Sequence, residues 1–294
     1  MIGYYLFLVF EKIVMILPRF MRKALFIGLA NFAYLIDKKH RRVILQNLHF
    51  AMGQSCTAQE EEQISRYCYH NLLLNLLQII ENRTISKEEI GNRVTIENLA
   101  IVDAAKATGR PIIFTTAHFG NWELGGATIS TQIMPIHVAH KALKNPYFEQ
   151  YLHQARSRLD MNLVEKRGAV KQLAKALKAG EAISLLTDQN TSERDGIIVN
   201  FFGKTARQTA APAFLARKYD ALILPVYIST EDEEHYTLRF YEAIEVSKTD
   251  DAKADILEAT QKQANLLELV IAENPKFWFW CHRRWKTEHP EIYR

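Results

Sequence analysis

The sequence predicts an α/β fold. It reads as one domain with a central mixed β-sheet flanked by helices, preceded by helical segments at the N-terminus. Three observations carry this expectation. Short apolar, β-branched runs recur along the chain and alternate with stretches whose apolar residues fall at helical spacing. One of these runs, within Pro111–Gly126, passes straight from a strand into a helix start. The first 42 residues hold two apolar segments bounded by basic residues. The organisation that follows is an N-terminal helical region over residues 1–42 and a catalytic-type α/β domain over 43–294.

Composition sets the limits. The chain has 294 residues, 48% hydrophobic and 24% charged, enough to build one large core. The net charge of +4 suits an anionic membrane surface or an acidic partner protein, and is too small and scattered to suggest nucleic acid. Cys56, Cys68 and Cys281 form no CxxC and no metal-ligand spacing, so they read as structural thiols in a reducing compartment, with no metal implied.

Ile2 to Leu17 is apolar and aromatic but interrupted by Glu11 and Lys12, which argues against a clean spanning helix of about 20 apolar residues. No basic leader or small-residue cleavage site marks it as a signal peptide. Pro18, Arg19, Arg22 and Lys23 separate it from a second apolar run, Ala24 to Ile36, which Lys38, Lys39, Arg41 and Arg42 close. Two apolar segments flanked by bases are expected to lie in the interface of a membrane's cytoplasmic leaflet as an anchor.

Further along, Glu60 to Ile80 has the apolar spacing of an amphipathic helix. Val94–Leu99 is a short strand and Ala100–Thr108 a helix ending at Gly109. Ile112–Thr116 is a buried strand, and Leu124–Gln132 continues a helix begun after the corner. Ile136–Ala139 is a strand, Pro146–Leu159 a helix, Asn162–Glu165 a strand and Ala169–Lys178 a helix ending at Gly180. Ala182–Thr187 is a buried strand that delivers Asp188 and Gln189 to a sheet edge. Gly196–Phe202 follows, ending in Phe201-Phe202 before Gly203, and Thr209 is placed to cap a helix over Ala210–Tyr219 that tolerates Pro212 in its first turn. Strands Ala221–Ile228 and Tyr236–Val246 and a long amphipathic helix, Ala252–Glu273, complete the domain.

The chemistry concentrates at AHFGNWELGG. His118 and Glu123 stand five apart, so within one helix they would point about 140° away from each other. They can meet only if His118 sits at the strand-to-helix corner, the place where α/β folds present reactive groups. An imidazole there can take the proton of an alcohol as it attacks an acyl carbonyl. Glu123 is expected to accept the other ring N–H and fix the tautomer. No G-x-S-x-G occurs, so no acyl-enzyme is indicated.

This motif resembles the His-x4-Glu motif of the bacterial lipid A late acyltransferases, related to glycerolipid acyltransferases with His-x4-Asp. The resemblance covers most of the chain. Asn47 and Phe50 stand in an early Asn-Leu-x-x-Phe segment. His140-Lys141-Ala142-Leu143-Lys144-Asn145-Pro146 stands where the family reads Tyr-Arg-Pro-Leu-Lys-Asn-Pro, so Lys141 keeps the charge of the family's Arg without its bidentate fork. Arg167 before Gly168, the Phe-Phe-Gly turn and the aromatic end Phe277–Trp285 also match, with Phe277 where Gln is common. What the resemblance implies is acyl transfer from acyl-acyl carrier protein to a hydroxyl of a lipid A precursor, in lipopolysaccharide synthesis at the inner membrane and without a cofactor. It implies His118 as base, Glu123 as its orienting partner, and Arg167 or Lys141 stabilising charge. Arg283 and Arg284 are candidate phosphate contacts, and Asp188 is either structural or a sugar-hydroxyl contact. Three other readings stay open: transfer to another glycolipid or aminolipid, with acyl-CoA as a further donor; thioester hydrolysis; and a non-catalytic lipid-binding protein at the membrane surface.

Overall fold

The computed structural model describes residues 2–53, 56–165 and 168–294. Helices α1 (Ile2–Ile16) and α2 (Arg19–Ile36) are separated at Pro18, which has no N–H to continue the first helix. Helix α3 (Lys38–Met52) starts on Asp37, whose side chain accepts from His40 N at 3.1 Å. Helices α4 (Ala58–Glu81) and α5 (Lys87–Arg93) each begin with a complete capping box, Thr57 with Glu60 and Ser86 with Glu89. Val14, Phe26, Leu74, Leu77 and Ile80 join α1 and α2 to α4. No helix among the described residues is long and apolar enough to cross a membrane.

The α/β part follows in order: β1 (Val94–Glu97), α6 (Leu99–Ala107), β2 (Ile112–Thr116), α7 (Trp122–Thr128), β3 (Ile136–His140), α8 (Pro146–Ser157), β4 (Met161–Glu165), α9 (Ala169–Lys178), β5 (Ala182–Leu186), β6 (Gly196–Phe201), β7 (Lys204–Thr209), α10 (Ala211–Tyr219), β8 (Leu222–Thr230), β9 (Tyr236–Phe240) and α11 (Ala252–Glu273). Seven strands form one sheet in the order β1-β9-β8-β2-β5-β3-β4. All neighbours are parallel except β8 and β9, so the sheet is mixed. The central strand β2 alternates its side chains between two cores. Ile112 and Phe114 pack with α5, α6 and α7, while Ile113 packs with α9, α10 and α11. A third cluster joins α2, α3, α4 and α11 to the C-terminal segment through Trp278, Trp280 and Trp285.

Two segments differ from expectation, and a third is an expected turn. The helix over Leu124–Gln132 is α-helical only to Thr128 and then π-helical over Ile129–Ile133. The Ser130 and Thr131 hydroxyls both donate to Ala127 O, at 3.0 and 2.7 Å, which loosens the regular ladder there. The strand over Tyr236–Val246 stops at Phe240, and Ile244 then bridges Ile223 separately. The Phe-Phe-Gly stretch closes a hairpin between β6 and β7. Phe202 and Gly203, at φ 54° and 67°, form its two-residue turn.

Candidate active site

The pairing of β2 with β5 explains how the site assembles. The two strands run parallel with Thr116 opposite Leu186. Two residues beyond each lies a titratable side chain, His118 on one strand and Asp188 on the other. Register alone therefore brings them together. Asp188 Oδ1 accepts from His118 Nδ1 at 2.9 Å, and Oδ2 accepts from the His118 backbone N–H at 3.1 Å and from Trp278 Nε1 at 3.0 Å. The carboxylate is 3% exposed. Burial alone would raise its pKa, but the charge and hydrogen bonds of His118 and the indole N–H outweigh it and hold the carboxyl below the usual range. An ionised Asp188 can only accept, so the proton of a neutral His118 sits on Nδ1 and Nε2 carries the free lone pair. The Gln189 side-chain nitrogen lies 3.4 Å from Nε2, and Trp122 and Phe279 flank the ring at centroid distances of 5.1 and 6.1 Å.

The corner is held from outside. Phe279 N–H donates to His118 O at 2.9 Å, and Gly120 N–H donates to Phe277 O at 3.0 Å. Asn75 of α4 donates to Gly120 O at 3.0 Å and accepts from Glu123 N at 3.1 Å. Gly120 sits at φ 56°, and a Cβ there would fall 1.9 Å from Ile228 O. Only glycine lets the chain turn this close to β8. Asn121 then caps α7 by accepting from Leu124 N at 3.0 Å.

Glu123 does not reach His118. It lies one turn inside α7 and faces α8, where Arg156 donates to both of its oxygens at 2.6 and 3.2 Å. The expected Glu123–His118 hydrogen bond is replaced by the Asp188 bond, because the corner carries His118 over β5 while the helix turns Glu123 toward its neighbour. Burial would lower the Arg156 pKa, but the Glu123 charge and hydrogen bonds raise it above the ordinary value. This pair forms part of the wall of a cavity of about 50 Å³ between α7 and the sheet, whose lining is mostly apolar, with Ile129, Val138, Met161 and Leu186, and includes the hydroxyl residues Thr116 and Ser184. Gly125 and Gly126 leave room there that side chains would fill.

The other candidate residues are spread out. Lys141 is exposed on the loop after β3. Arg167 lies outside the described residues. Arg283 is half-buried, with its guanidinium 5.4 Å over the Tyr293 ring. Arg284 is fully buried and donates to Gln189 O, Arg207 O and Gln208 Oε1 at 3.2, 2.8 and 2.9 Å. Burial pushes its pKa down to about 10, so it stays charged. Those contacts leave Arg284 holding the loop after Asp188 rather than facing a phosphate in solvent. His282 Nε2 accepts from Asn190 N in the same loop at 3.0 Å, and burial pushes its pKa down to about 4. Arg156 and Asn75 had no sequence signal of their own, while Trp278 and His282 lay in the C-terminal segment that carried the resemblance, which did not report their partners. Asp188 had one, its place at a strand exit, which reports position but not partner.

A base oriented by a buried carboxylate at the carboxyl edge of an α/β sheet, beside a mostly apolar cavity, defines a site for acyl-group chemistry. The side chains that hydrogen-bond to the His118 ring among the described residues are Asp188 and Gln189, and neither is a Ser or Cys nucleophile. The chain belongs to the bacterial lipid A biosynthesis acyltransferase family, whose model matches residues 1–287, and is an acyltransferase. It is similar to the lipid A biosynthesis lauroyltransferase of Escherichia coli, with 24% identity over 88% of this chain and 83% of that protein. The lipid A biosynthesis palmitoleoyltransferase of Escherichia coli is 23% identical over 85% of this chain and 80% of its own length. The phosphatidylinositol mannoside acyltransferase of Mycolicibacterium smegmatis is 24% identical over 67% of this chain, and the match spans 64% of that protein.

Proposed function

We propose that this enzyme moves a fatty acyl chain from the thioester of an acyl carrier protein to a hydroxyl of a lipid A precursor. The observation that carries the reading is the His118–Asp188 pair, with the Nε2 lone pair turned toward the site. His118 Nε2 takes the acceptor's hydroxyl proton while that oxygen attacks the thioester carbonyl. Asp188 stabilises the imidazolium that forms. The tetrahedral intermediate then collapses, the carbon–sulfur bond breaks, and the proton passes from His118 to the departing thiolate. Lys141 and Arg167 are proposed to offset negative charge on the substrates or intermediate. The acyl chain enters the apolar space beside α7, and Glu123 with Arg156 locks α8 against that wall.

The N-terminal region, residues 1–42, is proposed to attach the enzyme to the cytoplasmic face of the inner membrane. Support comes from α1 and α2, where Leu6, Val9, Ile16, Phe20, Phe32 and Leu35 are all exposed. Glu11, which interrupts the apolar run of α1, turns inward and accepts from the Tyr151 hydroxyl at 3.0 Å. Lys12 is then the charged residue on the exposed face of α1, among Leu6, Val9, Ile13 and Ile16.

The test is acyl transfer in detergent micelles with acyl carrier protein loaded with chains of several lengths, with and without a lipid A precursor. Product that depends on acceptor and is absent in His118→Ala supports the reading. Hydrolysis without acceptor would make the enzyme a thioesterase, and lipid binding with no turnover of any thioester would leave a binding protein. The similarity to a phosphatidylinositol mannoside acyltransferase favours one alternative acceptor class, a different membrane glycolipid. Turnover with a total lipid extract but not with the lipid A precursor would select it, and acyl-CoA run beside the carrier protein separates the donors.

A further inference from the structure

We infer that the loop joining β3 to α8, residues 141–145, together with the first two residues of α8, is a second membrane contact that seats the catalytic edge of the sheet on an anionic lipid surface. The inference rests on the proposed interfacial attachment of α1 and goes beyond it, because this loop belongs to the catalytic domain. Every residue from Lys141 to Tyr147 is exposed. Leu143 is 45% exposed and Tyr147 38%, with Lys141 and Lys144 on either side of Leu143. Neither lysine has an ion-pair partner among the described residues. An exposed leucine and tyrosine among unpaired lysines match the headgroup layer of an anionic bilayer, where apolar tips enter and ammonium groups meet phosphates.

The loop is also shaped and placed for this. Glu149 accepts from Leu143 N at 2.8 Å and pairs with His140 Nε2 at 2.6 Å, while Asn145 accepts from Tyr147 N at 3.0 Å. The loop is thus built to present its side chains outward. Tyr4 of α1 stacks on Tyr147 at 5.4 Å, and Phe7 packs on Phe148 and Tyr151. The loop therefore lies against the inner side of α1, next to the helix proposed to attach the protein. Strand β3 neighbours β5 in parallel, so its carboxyl end lies one strand, about 5 Å, from the strand that delivers Asp188. Contact here brings a lipid acceptor to the edge where His118 stands, with no need for the lipid to leave the surface.

The experiment uses the full chain with Cys56→Ser, carrying an environment-sensitive fluorophore on a cysteine introduced by Leu143→Cys. The Cys56→Ser parent, taken through the same labelling, is the blank. The same probe is placed on α1 by Leu6→Cys. Phosphatidylethanolamine vesicles are added with and without phosphatidylglycerol. Both probes are expected to shift to the blue with the anionic vesicles. Lys144→Glu is expected to weaken sedimentation with anionic vesicles by about tenfold, and to leave transfer to a detergent-dispersed acceptor unchanged. A blue shift at residue 6 with none at 143 overturns the inference and leaves the attachment standing. No sedimentation and no shift at either position overturns both. A probe at 143 that ignores vesicles but is shielded by acyl carrier protein makes the loop a protein-docking surface and overturns it as well.

Discussion

Two buried carboxylates lie within a few residues of the same sheet edge, and they do opposite things. At the seam of α7 and α8, Glu123 is paired with a guanidinium, a charge that stays whatever the pH. At the β2–β5 edge, Asp188 is held by neutral N–H donors and by a histidine whose charge comes and goes. A permanent counter-charge makes a carboxylate a fastener. A carboxylate left without one, and buried, is placed to stabilise a positive charge on the imidazole beside it. The comparison teaches that the acid nearest the histidine in sequence is not the acid that tunes it.

The largest effect that tests this contrast is Asp188→Asn. It keeps the shape but removes the charge, and should lower kcat by roughly 10³-fold in the transfer assay, together with a drop in the thermal midpoint at neutral pH because the carboxylate's N–H partners lose an acceptor. A variant with near-normal kcat would end the comparison. Glu123→Gln should instead act on stability. Leaving Arg156 buried without its partner costs about 3–5 kcal/mol in denaturant unfolding, while the folded fraction keeps most of its turnover. Replacing both members by leucine should recover much of that loss. Turnover lost in Glu123→Gln without loss of stability would return Glu123 to the chemistry.

Trp278→Phe sharpens the picture of Asp188. It removes one donor to a buried carboxylate, costing about 2 kcal/mol. The depressed Asp188 pKa stabilises the fold above about pH 4, where the unfolded carboxyl is ionised, and that stability is lost as pH falls through the folded value. The variant should lose less stability to this group on acidification than the parent, because its folded pKa is raised while the unfolded value that sets the onset is unchanged. An effect absent at neutral pH comes from His282. Its folded pKa is pushed down to about 4 from 6.5, so it has no influence above pH 6.5. As pH falls from 6.5 toward 4 the unfolded state takes up the proton first, and stability declines by no more than about 1.4 kcal/mol per pH unit. His282→Gln should flatten that limb in unfolding curves measured at several pH values.

Much of the fold can be read from local pattern. The helix over Ala252–Glu273 has its predicted bounds because Asp251 caps it at Lys253 and Ala254 and its apolar period runs unbroken. Strand β2 follows from a β-branched run in which every second residue meets the same core. The end of β9 at Phe240 was not readable, because Ala243 to Val246 keep an apolar look while Ile244 bonds across to Ile223 instead of extending the ladder. The π-helical turn after Thr128 depends on hydroxyls that bond back to Ala127, a competition that apolar spacing does not report.

The site divides the same way. By itself the amino-acid sequence determined that His118 stands at a strand-to-helix corner, since the strand signal, the glycine and the helix start are all within a few residues. Local chemistry is enough for that. Only the tertiary structure decided which acid serves it. Asp188 reaches His118 because two strands far apart in the chain pair with Thr116 opposite Leu186, and a shift of one residue in that register would turn it to the other face. The Trp278, His282 and Arg284 contacts that hold Asp188 and its loop come from the far end of the chain. Their partners are set by packing across the molecule, for which neighbouring residues carry no signal.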